Sequence, residues 1–198
     1  MKVNFVVLDD SEDIEDHSLL YSIEDKYDKV HFFNNPNEGL EFIKENLSLN
    51  LIVLLDIEFS ESDKSNGHKL LDEIYKSSAL IPVILWSGIN QTEEEFSDFI
   101  NNHAFGFLSK DSTIEESMQI IDKAYIQLKT SLDNTIEDWI IESNEDKDKP
   151  IYISTEGKSY SLNNILYEIR SQTEVGKEFA AKLNALTIDL LLRGKKEL

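Results

Sequence analysis

The sequence predicts an α/β fold: a five-stranded, doubly wound parallel sheet followed by a C-terminal extension of helices and a β-hairpin. Two patterns predict it. Short apolar runs and amphipathic segments alternate five times between Val3 and Lys129, and such alternation builds a parallel sheet with right-handed crossovers and helices on both faces. The run Leu51-Ile52-Val53-Leu54-Leu55 is apolar without a break and stops at Asp56. It is too short for a fully buried helix and fits a strand covered on both faces.

The elements follow in order. Val3 to Leu8 reads as a strand ending in Asp9-Asp10, with Ser11 as cap of an acidic helix start (Glu12, Asp13, Glu15, Asp16); acids suit the positive end of a helix dipole. Ile14, Ser18 and Tyr21 share one face of that helix. Lys29 to Phe33 is the second strand, and Asn35-Pro36 opens a helix over 37–47 with Leu40, Ile43 and Leu47 as its stripe. After the central strand, a polar loop over 60–66 leads to Gly67 and a helix with Leu70, Leu71 and Ile74 inward. Ile81 to Trp86 is the fourth strand, ending at Ser87-Gly88. Thr92 and Glu95 form a capping box for a helix with Phe96, Phe99 and Ile100 as its apolar face. Ala104 to Leu108 is the fifth strand, ending at Ser109-Lys110, and Ser112 starts the next helix.

Composition narrows the function. The chain has 198 residues and a net charge of −20. Residues 1–131 hold 26 acids against 10 bases, net −16; residues 132–198 hold 13 against 9, net −4. That balance opposes non-specific binding to nucleic acid or anionic lipid. There is no cysteine, which excludes a disulfide framework, a thiolate metal site and a thiol nucleophile. With no signal-peptide pattern and no apolar run of membrane length, the expectation is a cytoplasmic protein.

Four strands end in polar residues placed to converge: Asp9 and Asp10, Asp56, Ser87 and Lys110. Each alone is weak, since Asp56 could be a turn or cap residue after a core strand. Together they suit phosphoryl transfer. Three carboxylates repel unless a cation sits among them, and a hard ion such as Mg²⁺ fits an all-oxygen site. A lysine offsets charge and holds an anion, a hydroxyl can donate to a phosphoryl oxygen, and Asp56 is the candidate nucleophile.

At these residues the chain resembles the receiver domain of two-component response regulators, a flavodoxin-like fold of the CheY-like superfamily. The resemblance covers residues 1–131 and rests on Phe5-Val6-Val7-Leu8-Asp9-Asp10, Leu54-Leu55-Asp56, Asn66-Gly67-His68-Lys69-Leu70-Leu71, Pro82-Val83-Ile84-Leu85-Trp86-Ser87-Gly88 and Gly106-Phe107-Leu108-Ser109-Lys110. It implies that Asp56 accepts a phosphoryl group from a sensor histidine kinase or phosphotransfer protein. It implies that Asp9, Asp10, Asp56 and the backbone carbonyl of Glu58 hold Mg²⁺, and that Ser87 and Lys110 bind the phosphoryl oxygens. It makes Phe107 the aromatic switch. Such a chain is not an enzyme beyond its own dephosphorylation. Three departures stand out. Gly67 follows Asp56 after eleven residues, a longer loop than is usual. Asp111 follows Lys110 where the family has a cis proline, so this bond is expected trans, since a non-proline cis bond costs about 3 kcal/mol. The switch residue is Phe, not Tyr.

Trp86 reads as strand core rather than as a functional aromatic. His103 reads as a solvated helix end, and neither His17 nor His31 has a metal-ligand partner at helical spacing.

Beyond the receiver, Ile114, Met118, Ile121, Tyr125, Leu128, Leu132, Ile136 and Trp139 approach a heptad seam. They read either as a helix extended past the domain to pair with a second copy in a homodimer, or as two unrelated halves of which the first packs on the sheet. Residues 132–149 are then a helical extension and acidic linker. Residues 150–198 form a small module: a hairpin over Ile151–Ser161 with its turn at Glu156-Gly157, and helices over 162–171 and 173–193 capped by Ser161 and Thr173. Its expected role is to bind an unidentified protein partner. Two other readings are a pseudo-receiver adaptor that works without phosphorylation and a DNA-binding regulator. A haloacid-dehalogenase-type phosphohydrolase would need an aspartate where Glu58 stands.

Overall fold

Every residue of Asn4–Leu8 (β1), Leu51–Leu55 (β3) and Val83–Ser87 (β4) is buried, and these strands form the middle of the sheet. The edges are Lys29–Phe33 (β2) and Gly106–Ser109 (β5), and all neighbours run parallel in the order β2-β1-β3-β4-β5. The computed structural model describes residues 2–57, 59, 67–88 and 103–194. The expected helix at Thr92–Ile100, the loop over 60–66 and Glu58 lie outside them. The chain divides into two units, Met1–Thr130 and Ser131–Leu198.

In the first unit, side chains alternate between two cores, as a pleated strand demands. Phe5, Val7, Ile52, Leu54, Ile84, Trp86 and Leu108 face one way. There they meet Leu19, Leu20 and Ile23 of Ser18–Lys26 (α1) and Ile121, Ala124 and Leu128 of Ile114–Thr130 (α4). Val6, Leu8, Leu51, Val53, Leu55, Val83 and Leu85 face the other way, against Ile43 of Pro36–Glu45 (α2) and Leu70, Leu71 and Ile74 of Gly67–Ser77 (α3). Trp86 is a core residue, 1% exposed. No described helix is long and apolar enough to cross a membrane.

Three local expectations are corrected. Ser11 does not cap α1; a 3₁₀ turn, Glu12–Ile14, follows it without a side-chain cap bond. The Ser11 amide instead donates to Asp9 Oδ1 at 3.0 Å. α1 starts at Ser18, with His17 Nδ1 accepting from the Leu19 amide at 3.2 Å, and Tyr21 is exposed. α4 starts at Ile114 rather than Ser112, capped by Thr113: Thr113 Oγ1 accepts from the Glu116 amide and Glu116 Oε2 from the Thr113 amide. The heptad spacing does not make one helix. α4 ends at Thr130, and Ser131, extended at φ −66° and ψ 130°, caps a new helix, Leu132–Glu142 (α5), by accepting from the Asn134 amide. A serine whose hydroxyl satisfies a helix-start amide favours that break over helical continuation. Ile121 and Leu128 pack on the sheet, whereas Leu132 and Trp139 are exposed.

The second unit joins α5 to an antiparallel hairpin, Pro150–Ile153 (β6) and Ser159–Ser161 (β7), and to the helices Leu162–Arg170 (α6) and Glu174–Gly194 (α7). The hairpin turn holds Gly157 at φ 82°, where glycine carries no steric cost. Ser161 and Asn164 form a reciprocal capping box, and Thr173 Oγ1 accepts from the Gly176 amide at 3.2 Å. Leu162, Ile165, Ile169, Phe179 and Ala180 are buried in this unit. Arg170 Nε lies 2.5 Å from Glu137 Oε1, joining α6 to α5. Burial pushes the Glu137 carboxyl above its ordinary range, and Arg170 opposes that shift.

Candidate functional site

The sheet changes winding direction between β1 and β3: β2 lies outside β1 on one side, and β4 and β5 lie beyond β3 on the other. In open α/β sheets the crevice at such a switch point, beyond the strand C-termini, is where ligands bind. Register carries the acids there. Leu8 pairs with Leu55, and the Asp56 amide donates to the Leu8 carbonyl at 2.9 Å, so Asp9 and Asp56 leave adjacent strands at the same level. On the far side, Ser87 pairs with Ser109, and the Lys110 amide donates to the Ser87 carbonyl at 2.9 Å.

Asp9, Asp10 and Asp56 each offer a carboxylate oxygen, all within 4.8 Å of one another. Lys110 reaches across from β5. Its Nζ donates to Asp56 Oδ2 at 2.9 Å and stands 2.6 Å from Asp9 Oδ2. The Asp9 contact is an ion pair, and apart from it the buried Asp9 Oδ2 has no hydrogen-bond partner among the described residues. Asp56 Oδ1 is held by the Ile57 amide at 2.7 Å. Burial pushes the Asp9 carboxyl up from its ordinary value, and Lys110 and the Ser11 amide do not fully offset this; the charge of Asp56 adds to it. Burial alone would pull Lys110 down, but Asp56 and Asp9 together hold its ammonium above the ordinary value.

This donor set fits a hard dication, because all three acids present oxygen and the buried Asp9 Oδ2 has no hydrogen-bond partner beside its ion pair with Lys110. Ser87 is buried at the end of β4, beside Lys110 through the backbone. Phe107 lies on β5, paired with Leu85 and partly buried against the core that includes Leu8 and Leu55. Every described peptide bond is trans, including that from Lys110 to Asp111.

Three features of the site are not legible in the sequence. The Ser11 and Ile57 amides orient the two carboxylates. Gly67 closes on the loop after β3: a Cβ there would stand 2.7 Å from Ile57 Cα and 2.8 Å from the Asp56 carbonyl. His17 meets Trp86 edge-on at 5.1 Å, bracing the start of α1 against β4.

The family model of the response regulator receiver domain matches residues 5–122. Among solved structures, the chain is similar to a CheY-like response regulator receiver domain protein from Methanospirillum hungatei JF-1. The two share 22% identity over 66% of this chain and 100% of that one, with a TM-score of 0.56. A response regulator receiver domain protein from Clostridium thermocellum shares 23% identity over 64% of this chain and 97% of that one, with a TM-score of 0.55. NtrX from Brucella abortus shares 24% over 78% of this chain but 32% of its own, with a TM-score of 0.57. No curated protein matches the chain. At these identities the structural likeness speaks for the fold, and the family match covers more than half of the 198 residues. The chain belongs to the response regulator receiver domain family, and residues 5–122 carry the two-component receiver.

Proposed function

We propose that Asp56 accepts a phosphoryl group from a phosphohistidine on a sensor kinase or phosphotransfer protein, and that this switches an interaction made by the second unit. The observation that supports it most is Lys110 bridging Asp56 and Asp9 at the switch point of the sheet. A carboxylate oxygen of Asp56 attacks phosphorus as the bond from phosphorus to the donor imidazole nitrogen breaks, and the imidazole leaves neutral after taking a proton. The Ile57 amide keeps the Asp56 carboxylate in place. Lys110, already beside Asp56, is placed to hold the oxygens of the arriving group by charge. In this reading the Ser87 hydroxyl moves in to donate to them, and Phe107 is the aromatic that responds to that movement.

Asp9, Asp10 and Asp56 are the residues that would hold Mg²⁺, with the backbone carbonyl of Glu58 outside the described residues. When bound, the dication supplies positive charge that offsets the clustered carboxylates and the phosphoryl oxygens. The chain in this reading is a phosphoprotein, not a turnover catalyst, apart from releasing its own phosphoryl group.

The second unit suits protein interaction better than DNA, since residues 132–198 hold 13 acids against 9 bases. The alternative of a phosphorylation-independent adaptor draws on two features, the replacement of the family's proline after Lys110 by Asp111 and the longer loop between Asp56 and Gly67. Incubation with acetyl phosphate and Mg²⁺, followed by intact mass, separates the two. The phosphoacceptor reading expects a gain of one phosphoryl group that Asp56→Asn abolishes; no gain in the wild type favours the adaptor.

A further inference from the structure

The outer half of α7 leaves its unit uncovered. Phe179 and Ala180 are buried, but from Ala181 to Arg193 every side chain except the half-buried Leu183 is exposed. Leu186, Ile188, Leu190, Leu191 and Leu192 are each at least 50% exposed. At 1.5 Å per residue this is roughly 20 Å of projecting helix. A helix of that length is marginal alone in water, and one that is apolar on most sides belongs in a buried setting.

Its charged groups fall along one line. Lys182 pairs with Glu178 at 2.5 Å, and Arg193 pairs with Asp189 at 2.6 Å, each one turn apart. Elsewhere the surface is apolar apart from Asn184 and Thr187. Phe179, Leu183, Leu186 and Leu190 follow the four-three-four spacing of a helix-pairing seam, so a stripe that begins inside the unit continues onto the exposed half.

We propose that Ala181–Arg193 is a self-association surface that pairs with the same helix of a second copy of this chain. Charge selects that occupant. A basic partner, which a chain of net −20 would attract, needs acids at the contact; this stretch has one, Asp189, already paired within the helix. Anionic lipid needs bases, and the stretch has two, on a chain whose overall charge repels it. Two copies of a −20 chain can approach only where each is nearly neutral, and α7 offers such a place, with leucines on both sides.

Sedimentation equilibrium of the intact chain tests this without reference to phosphorylation. The wild type is expected at twice the chain mass or more, and Leu186→Glu/Leu190→Glu at the chain mass, with a cooperative unfolding transition retained and any loss of far-ultraviolet helical signal confined to what Ala181–Arg193 contributes. A wild type that stays monomeric at all concentrations overturns the proposal, as does a double variant that keeps the wild-type mass. Should the double variant fail to fold, Leu186→Cys, next to the middle of the stretch and so close to its mate in either pairing direction, supplies the single thiol of a cysteine-free chain. Oxidation with copper-phenanthroline is then expected to give a covalent dimer, and its absence overturns the pairing. A monomeric wild type that co-sediments with phosphatidylcholine–phosphatidylglycerol vesicles would assign the helix to a membrane surface and likewise overturn it.

Discussion

The Lys110 ammonium stands 2.6 Å from Asp9 Oδ2 and 2.9 Å from Asp56 Oδ2, so one cation serves two buried acids from different strands. Removing it leaves two like charges face to face. Breaking a fully buried pair costs roughly 3–5 kcal/mol. The Lys110 side chain is 20% exposed, so Lys110→Met is expected to cost about 2 kcal/mol, below that range because of solvent screening. Urea unfolding in EDTA measures it. Added Mg²⁺ should stabilise this variant more than the wild type, because the dication takes over the offsetting charge.

Gly67 is a steric requirement of the site. Its missing Cβ would meet the backbone of Asp56 and Ile57, which cannot step aside as a side-chain tip can. Gly67→Ala is expected to cost about 1–3 kcal/mol, as overpacking does. It should also slow phosphorylation by acetyl phosphate, by moving the Ile57 amide that orients Asp56.

Asp122 ties α4 to α1. It accepts from Lys26 Nζ at 2.6 Å and from the Tyr27 hydroxyl. Burial raises its pKa, but these donors together hold it below the ordinary value. A carboxyl depressed on folding adds stability above its unfolded pKa and loses it as pH falls through the lower folded value. Asp122→Asn is therefore expected to cost about 1 kcal/mol at neutral pH, a figure kept small because the carboxylate is partly exposed. The gap from wild type should close as pH drops below about 4, followed by chemical denaturation at stepped pH.

The second unit has its own tight point. A Cβ on Gly176 would stand 2.5 Å from the Glu168 carbonyl oxygen, so α6 and α7 meet backbone to backbone there. Gly176→Ala should lower hydrogen-exchange protection in α6 and α7 while Asp56 is phosphorylated at the wild-type rate.

Much of this was legible because burial on both faces leaves a plain trace. β1, β3 and β4 carry the unbroken apolar runs Phe5–Leu8, Leu51–Leu55 and Val83–Trp86, and the acids and hydroxyl that end them stand out against that background. The Ser161 cap was equally plain, but its reciprocal partner Asn164 and the Thr113–Glu116 pair were not. The start of α1 was not, because Ser11 looks like a cap but its amide is taken by Asp9. The break at Ser131 was hidden by a spacing that serves both a coiled coil and a helix packed on a sheet. Within the site, Asp9, Asp10, Asp56 and Lys110 could be read as candidates, but the double grip of Lys110 and the amides of Ser11 and Ile57 could not. Backbone donors have no residue identity, and a lysine's reach depends on strand order.

Whether Asp56 carries the phosphoryl group can be read directly from the chemistry of its acyl phosphate. Borohydride reduces an acyl phosphate on aspartate to the alcohol, leaving homoserine in its place. After treatment with acetyl phosphate, Mg²⁺ and then borohydride, peptide mass spectrometry should find homoserine at position 56 and aspartate at positions 9 and 10. Homoserine at another acid, or aspartate unchanged at 56 in a folded protein, would contradict the account.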